Sequence, residues 1–169
     1  SIFQGSSDTE CLLHLVAKHP SSDPILCLKD SLAQMQGAYS LVVLTHDRMI
    51  AIRDPLGFRP LVLGERKNAK GERSLVVSSE TCAFDLIGAQ FIREIEPGEI
   101  FWVDETGEHS VKMSKAPTLA RCIFEHVYFS RPDSVVFGFS VYESRKRLGQ
   151  ILARESGVQA DLVTPVPDS

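Results

Sequence analysis

The sequence predicts a mixed chain of the α+β to α/β class, and three observations along it support this fold class. Apolar residues recur at helical spacing up to Gly37, and strand-like apolar runs then follow one another as far as Val103. Near the end, a long helical pattern precedes a further apolar run, an order typical of the start of an α/β domain. We therefore expect helices first, sheets next and the beginning of a second α/β unit last.

Two helices are predicted before the strands. Ser7 and Glu10 have the spacing of a capping box just before an apolar segment, and Pro20 ends the helix that they begin. The second helix has Pro24 in its first turn and Gly37 as its stop. Its apolar face is predicted to consist of three side chains, Leu28, Leu32 and Met35.

The hydrophobic pattern then changes to that of strands. We expect strands at 39–44, 49–52, 61–63, 75–78, 91–95 and 100–103, with a short helix at 80–87. Turns are expected at 46–47, 54–57, 67–73 and 97–98, where Gly, Pro, Asp or other polar residues cluster. Because these runs are apolar on both faces, they suggest sheets that are stacked on each other or covered by helices.

The last third begins after a polar segment. Residues 112–118 are the best linker candidate, since they lack any apolar period. A helix is predicted from about Val141 to Glu155, ending near Gly157, and a buried strand at 161–166.

Composition disfavours several functional classes. The chain has 18 basic and 22 acidic residues in 169, a formal net charge of -4, so no basic excess points to a nucleic-acid partner. No stretch approaches the roughly 18 consecutive apolar residues of a membrane span, and the first residues lack a signal-peptide pattern. We expect a cytoplasmic protein, or an organellar one if a transit peptide is missing from this sequence.

Most candidate site residues also have a structural explanation. The four cysteines are far apart and form no CxxC pair, so each is read first as a small buried hydrophobe. Asp8 could cap the first helix or offer its carboxylate to an ammonium group. Glu80 could be catalytic, or it could be a carboxylate that the backbone N–H groups of a helix start stabilise. The remaining candidates are read as two core histidines, His14 and His126, and a charged clamp around a turn, Arg53, Asp54 and Arg59.

Six motifs nevertheless occur together along the whole chain. They are SSDTE at 6–10, RDPLGFRPL at 53–61, SSETCA at 78–83, PGE at 97–99, CIFEHVYFSRPDS at 122–134 and VPDS at 166–169. In this order they resemble the glutamine phosphoribosylpyrophosphate amidotransferases, or amidophosphoribosyltransferases. The second motif is shared loosely with other class II glutamine amidotransferases, whereas the fifth is specific to this family.

The resemblance implies a fold and a domain division. Residues 1–112 would be the rear part of an N-terminal-nucleophile α-β-β-α sandwich, the class II glutamine amidotransferase domain. Residues 113–119 would be a linker, and residues 120–169 the beginning of a type I phosphoribosyltransferase domain.

The resemblance also implies an enzyme of purine biosynthesis. Relatives hydrolyse glutamine with an N-terminal Cys nucleophile, whose own α-amino group serves as base, and pass ammonia through an internal tunnel. Transfer of the phosphoribosyl group from 5-phosphoribosyl 1-diphosphate to ammonia then gives 5-phosphoribosylamine and diphosphate. Purine nucleotides are expected as feedback inhibitors, and the full-length protein is expected to be a homotetramer.

Three residues receive site roles from the resemblance. Asp8 would bind the α-amino group of glutamine, Ser169 would lie near the Mg²⁺ that accompanies phosphoribosylpyrophosphate, and Cys122 would be a ligand of a 4Fe-4S cluster. One branch of the family has that cluster and another carries the same Cys without it, so core packing of Cys122 remains an alternative.

The sequence also departs from the family pattern. It lacks the N-terminal Cys, the Asn-Gly segment of the oxyanion hole and two loops of the transferase site, so we expect an internal fragment without activity of its own. Two alternatives remain: another class II glutamine amidotransferase, and a non-catalytic scaffold module that kept the sandwich.

Overall fold

The computed structural model describes residues 5, 7–113 and 118–165, and antiparallel sheets dominate its first two thirds. Between Lys112 and the last helix lies a π-helical turn, Glu125–Phe129. The helices are α1 (Asp8–Lys18), α2 (Pro24–Leu32), α3 (Cys82–Ile87) and α4 (Val141–Ser156). In chain order the strands are β1 (Ser40–Leu44), β2 (Met49–Arg53), β3 (Val62–Lys67), β4 (Arg73–Ser78), β5 (Gln90–Glu94), β6 (Glu99–Asp104), β7 (Gly107–Lys112), β8 (Val135–Val136) and β9 (Phe139–Ser140).

The start of α1 uses its predicted residues in a different arrangement. Ser7 is the N-cap, and its Oγ accepts the N–H of Thr9 at 3.4 Å. Glu10 accepts the N–H of Gly5 at 2.8 Å instead of closing a capping box on Ser7. The helix start is therefore confirmed, and the Glu10 carboxylate satisfies a backbone donor two residues earlier than the capping box requires.

Helix α2 begins as predicted but ends early. The Asp23 side chain accepts the N–H of Ile25 at 3.1 Å, and Pro24 occupies the first helical position. The helix ends at Leu32, so Gly37 is not its stop; Gly37, at φ 127°, lies in the loop that leads to β1. Met35 still packs against the core from beyond the helix end.

The strands form two main antiparallel sheets. One has the order β1-β2-β6-β7 and the other β4-β3-β5. All six predicted strands are confirmed, although β5 and β6, which flank the Pro97-Gly98 turn, belong to different sheets. Strand β7 was not predicted, and because Lys112 is its last residue, assigning Lys112 to the polar linker was wrong.

These elements stack in the order helix, sheet, sheet, helix. A first cluster joins α1 and α2 to one face of the four-stranded sheet through Leu12, Leu28, Ile50, Ile52 and Ile100. A second cluster fills the space between the sheets, with Ala51, Leu61, Leu63, Ile95 and Phe101. On the outer face of the three-stranded sheet, Gly64 lets the ring of Phe84 from α3 approach closely. The antiparallel part of the predicted fold is thus confirmed.

The segment after the sandwich contains one confirmed helix and one incorrect strand. Ser140 caps α4 by accepting the N–H of Glu143 at 3.3 Å, and Gly157 ends it at φ 58°. Residues 161–165 form no strand and are exposed, with Val163 at 85%; residue 166 lies outside the described range. An isolated strand leaves its backbone groups unpaired, and no neighbouring strand is present at this point of the described chain.

In the part of the chain that the structure describes, no helix combines the length and apolarity needed to cross a membrane.

Candidate functional site

A cavity of about 890 Å³ lies where the first turn of α1 meets the loop before β1. We call it the Asp8 cavity. Besides these two segments, Arg59, Glu80 and the π-helical turn contribute to its lining. The cavity is therefore built by both the sandwich and the segment that follows it, and charged side chains of both signs face it.

Asp8 is the first residue of α1 and lies exposed in this cavity. Its carboxylate makes no hydrogen bond or ion pair with the described residues, because Ser7 already caps the helix. The capping alternative for Asp8 is therefore wrong. A carboxylate at the positive end of a helix is stabilised there and remains available for a cationic group.

The RDPLGFRPL turn forms the rigid base beside the cavity. Arg53 is fully buried and donates to the carbonyl groups of Arg59 at 2.9 Å, Gly57 at 3.2 Å and Ile95 at 2.7 Å. Asp54, also fully buried, accepts the N–H groups of Leu56 at 2.9 Å and Phe58 at 3.1 Å. The charged clamp predicted for these residues is confirmed.

Arg59 extends from this turn to the π-helical turn. Its Nε lies 3.0 Å from Oε1 of Glu125, an ion-pair contact that does not have the alignment of a hydrogen bond. The guanidinium carbon lies 4.3 Å from the centre of the Phe129 ring, a cation–π contact. From the sequence Arg59 is expected only in the clamp, and Glu125 carries no local signal, because the contact between these two residues depends on the tertiary fold.

Comparison with known proteins agrees with this geometry. The profile of a family described as "Glutamine amidotransferase domain" matches residues 1–85. The chain belongs to the glutamine amidotransferase domain family. It is 53% identical over its whole length to a soybean protein named chloroplastic amidophosphoribosyltransferase, and 46% identical to the amidophosphoribosyltransferase of Bacillus subtilis.

A solved structure is also similar. The glutamine phosphoribosylpyrophosphate amidotransferase of B. subtilis, in complex with ADP and GMP, superposes on the whole chain with a TM-score of 0.91 at 46% identity. The chain covers 36% of that structure, and 29% and 34% of the soybean and Bacillus relatives. It therefore spans about a third of their length. The resemblance to amidophosphoribosyltransferases is confirmed.

Within this glutamine amidotransferase domain, Tyr39 also lines the cavity. Burial, and secondarily the negative charge of Asp54, raises the pKa of Tyr39 to about 12. The phenol therefore stays protonated at physiological pH, and it donates to the sulfur of Met113 at 3.8 Å. Tyrosine at this position is a neutral wall residue of the cavity.

Glu80 connects two of the family motifs. Its Oε2 accepts the N–H of Arg131 at 2.7 Å and the hydroxyl of Ser134 at 2.8 Å. The neighbouring Thr81 accepts the N–H of Val135 at 2.9 Å. Since α3 begins only at Cys82, the helix-start reading of Glu80 was wrong; the carboxylate instead holds the 131–134 loop on the sandwich.

The two histidines differ in their surroundings. His126 is half-buried, with the ring centroids of Phe137 and Phe139 at 6.1 and 6.4 Å, so reading it as a core histidine is only partly correct. Its Nδ1 is nevertheless buried with no hydrogen-bond partner among the described residues. Nε2 of His14 lies 3.7 Å from Oε1 of Glu10 within α1.

Of the two candidate metal ligands, Cys122 and Ser169, only Cys122 lies in the described part of the chain. Cys122 is a free, half-buried thiol that borders a second cavity of about 530 Å³. Ser169 lies outside the described residues. Among residues 5, 7–113 and 118–165, no three His, Cys, Asp or Glu side chains come together as a metal site.

Proposed function

We propose that this chain is part of an amidophosphoribosyltransferase. The full-length protein would hydrolyse glutamine to glutamate and transfer the ammonia to 5-phosphoribosyl 1-diphosphate, giving 5-phosphoribosylamine and diphosphate. Identity of 46–53% over the whole chain to proteins of that name supports the proposal. The structural observation that carries it is the Asp8 carboxylate, which faces a cavity without a partner among the described residues.

Asp8 would bind the α-ammonium group of glutamine. A hydrogen bond between an ammonium and a carboxylate is stronger than one between neutral groups. The cavity is large enough for an amino acid, and sites of 300–1,000 Å³ are typical for ligands of roughly drug size. A scaffold module would have no use for such a site, so an unpaired carboxylate in the cavity favours the enzyme.

Residues from about 120 onward would be the beginning of the phosphoribosyltransferase domain. Similarity to the relatives continues through this segment, beyond the 1–85 match to the glutamine amidotransferase profile. This favours an amidophosphoribosyltransferase over another class II glutamine amidotransferase. The division into residues 1–112, a linker at 113–119 and residues 120–169 remains a prediction.

Further parts of the proposal concern regulation, assembly and location. Purine nucleotides would act as feedback inhibitors, in line with the ADP and GMP in the similar Bacillus structure. The homotetramer remains a prediction for the full-length protein. The soybean relative is named chloroplastic, which is compatible with an organellar location, and the cytoplasmic alternative also remains.

Two metal groups belong to the proposal. Cys122 can supply one thiolate at the edge of its cavity, whereas a 4Fe-4S cluster needs four, and among the described residues no other His, Cys, Asp or Glu side chains join it in a metal-type group. No step of the reaction is derived through it. Ser169 would lie near Mg²⁺, which prefers oxygen ligands and retained water.

The experiment that tests the function is Asp8→Asn in the full-length protein, with glutamine or ammonia as nitrogen source. We expect the Michaelis constant for glutamine to rise by about tenfold to a hundredfold, because a charge-assisted hydrogen bond is lost. Ammonia-driven synthesis should fall far less, since ammonia does not need the α-amino site.

The matched control is Asp85→Asn. Asp85 is also exposed in the first turn of a helix, α3, but it does not line the cavity. This variant should keep the wild-type Michaelis constant for glutamine. Equal losses with both nitrogen sources in Asp8→Asn would contradict the role of Asp8, and a wild-type protein that makes no phosphoribosylamine from either source would contradict the function.

A further inference from the structure

The π-helical turn contributes a buried carboxylate, that of Glu125, to the wall of the Asp8 cavity. The Glu125 side chain is 3% exposed, and its Oε2 accepts the hydroxyl of Ser130 at 2.7 Å. The positive charge beside it belongs to Arg59, at 3.0 Å from Oε1. We refer to these two residues as the Arg59–Glu125 pair. Because the Arg59 side chain is 38% exposed and that of Glu125 only 3%, removing Arg59 leaves the Glu125 charge uncompensated in a place that water does not reach, whereas Arg59 alone would stay partly hydrated.

The two members of the pair are attached to parts of different rigidity. The carbonyl of Arg59 accepts the Nε–H of the buried Arg53 at 2.9 Å, which fixes the backbone of Arg59 on the sandwich. Glu125 instead begins a π-helical turn whose following residues, 127–129, are exposed. π-helical turns are uncommon and occur frequently at functional sites. Glu125 is the buried residue of this turn, and on the side away from the sandwich Arg145 of α4 donates to the carbonyl groups of His126 and Ser130, each at 2.8 Å.

The pair also brings an aromatic ring to the cavity. Phe129, the last residue of the turn, lies under the Arg59 guanidinium and lines the Asp8 cavity together with Glu125. If the pair were broken, the Glu125 carboxylate would gain free energy by reaching water, and the turn would move away from the sandwich. The cavity would then open to solvent on this side.

We propose that the Arg59–Glu125 pair is a positioning pair that keeps the π-helical turn closed over the Asp8 cavity, so that ammonia released there is retained for transfer. The inference rests on the proposed function, because retention matters only if the amide nitrogen of glutamine has to reach a second substrate. Neither residue is given a role in breaking the amide bond. Their effect is on where the ammonia goes.

The test compares two products of the full-length enzyme supplied with glutamine and 5-phosphoribosyl 1-diphosphate. In the wild type, glutamate and phosphoribosylamine should form in equal amounts. In Arg59→Met, which keeps an unbranched side chain and loses the charge, glutamate release should exceed phosphoribosylamine formation by about threefold or more, because the buried charge is left unpaired. Glu125→Gln keeps the shape and should show a smaller excess.

The chain supplies a closely matched control. Arg93 and Glu99 form a second pair with the same exposures, 38% for the arginine and 3% for the glutamate, at an N–O distance of 2.8 Å. Arg93 also lies over a ring, that of Phe101, at 5.4 Å, but neither residue lines the Asp8 cavity. Arg93→Met should therefore lower stability without changing the ratio of the two products. A wild-type ratio in Arg59→Met, or the same excess in both variants, would overturn the proposal.

A second measurement does not depend on activity. Hydrogen exchange at the amides of residues 127–129 in the full-length protein should be about tenfold faster in Arg59→Met, and unchanged in Arg93→Met, because local opening sets these rates. If the wild type forms no phosphoribosylamine from glutamine or from ammonia, the proposed function fails while faster exchange still supports the positioning pair. Unchanged exchange in Arg59→Met overturns the pair whatever the activity.

Discussion

Glu80 accepts the backbone N–H of Arg131 at 2.7 Å, although 51 residues separate the two in sequence. The contact joins the SSETCA motif to the SRPDS end of the fifth motif. A second such connection comes from the RDPLGFRPL turn, where the carbonyl of Phe58 accepts the N–H of Cys122 at 3.1 Å. The motifs that carry the family resemblance are thus the parts by which the sandwich holds the following segment.

We predict that Glu80→Ala loosens this connection. The substitution removes the acceptor of both Arg131 and Ser134, and each lost hydrogen bond to a charged group is worth roughly 1.5–3 kcal/mol. The midpoint of urea unfolding of the full-length protein should fall, and the amides of the 131–134 loop should exchange faster. Glu105→Ala, at an exposed turn, serves as the control and should change neither. Protection of the loop at wild-type levels in Glu80→Ala would contradict the assigned role.

Gly64 provides a test of the layer packing. A Cβ added there would lie 2.8 Å from the carbonyl oxygen of Gln90 and 2.9 Å from the ring of Phe84. Because the first neighbour is backbone, Gly64→Ala should lower the free energy of unfolding by about 1–3 kcal/mol, as overpacking does in other cores. Gly149→Ala is the comparison, since a Cβ at this position of α4 meets no described atom within 4 Å beyond its own helix backbone. It should be neutral or stabilising by ~0.5–1 kcal/mol. Equal stabilities of the two variants would argue against the close approach of α3.

Local sequence signals explain which parts of the fold were predictable. Helix α4 has its cap, Ser140, and its stop, Gly157, within the sequence that forms it, so its bounds were predicted almost correctly. Strand β7 was not predicted because Val111 is its one large apolar residue, so its sequence has no strand-like hydrophobic pattern. Its extended conformation comes from pairing with β6. Over the described residues 161–165 the predicted strand does not form, for the opposite reason: Leu162 and Val163 are apolar, but a strand also needs a neighbour.

The residues of the candidate site were likewise predictable only where a local sequence signal marks them. Asp8 was identified from its motif, and its unpaired state could not be predicted because Ser7 and Asp8 are equally good helix caps by residue type. Glu125 and Phe129 were unremarkable members of an apolar run until folding placed them beside Arg59. Partners that are distant in sequence leave no periodic signal, so the charge pairs of the cavity wall became visible only in three dimensions.

Glu99 gives rise to a prediction about pH. Burial tends to raise the pKa of this carboxyl group, but hydrogen bonds from Arg93 and from the N–H of Glu96, together with the charge of Arg93, bring the pKa below its ordinary value. A carboxylate with a lowered pKa stabilises the folded state above its unfolded pKa of about 4.3, and this stabilisation is lost as the pH falls through the folded value. The unfolding free energy of the wild type should therefore decrease with falling pH below about 4.3 more steeply than that of Glu99→Gln. Parallel pH profiles for the two proteins would contradict this assignment.

The last prediction concerns Cys122 and iron. Cys122 is half-buried at the edge of a cavity, whereas Cys27 and Cys82 are buried and Cys11 is exposed on α1, so Cys122 combines partial access with a fixed backbone. If Cys122 is one of four cluster thiolates, the full-length protein purified without oxygen should be brown and contain iron and acid-labile sulfide. Cys122→Ser should lose most of that iron, because an alcohol is a much poorer ligand for the cluster than a thiolate, and Cys11→Ser should keep it. The 169-residue chain alone should contain no cluster, since one thiolate from this position cannot replace four. A colourless, iron-free and fully active full-length enzyme would leave Cys122 with a packing role only.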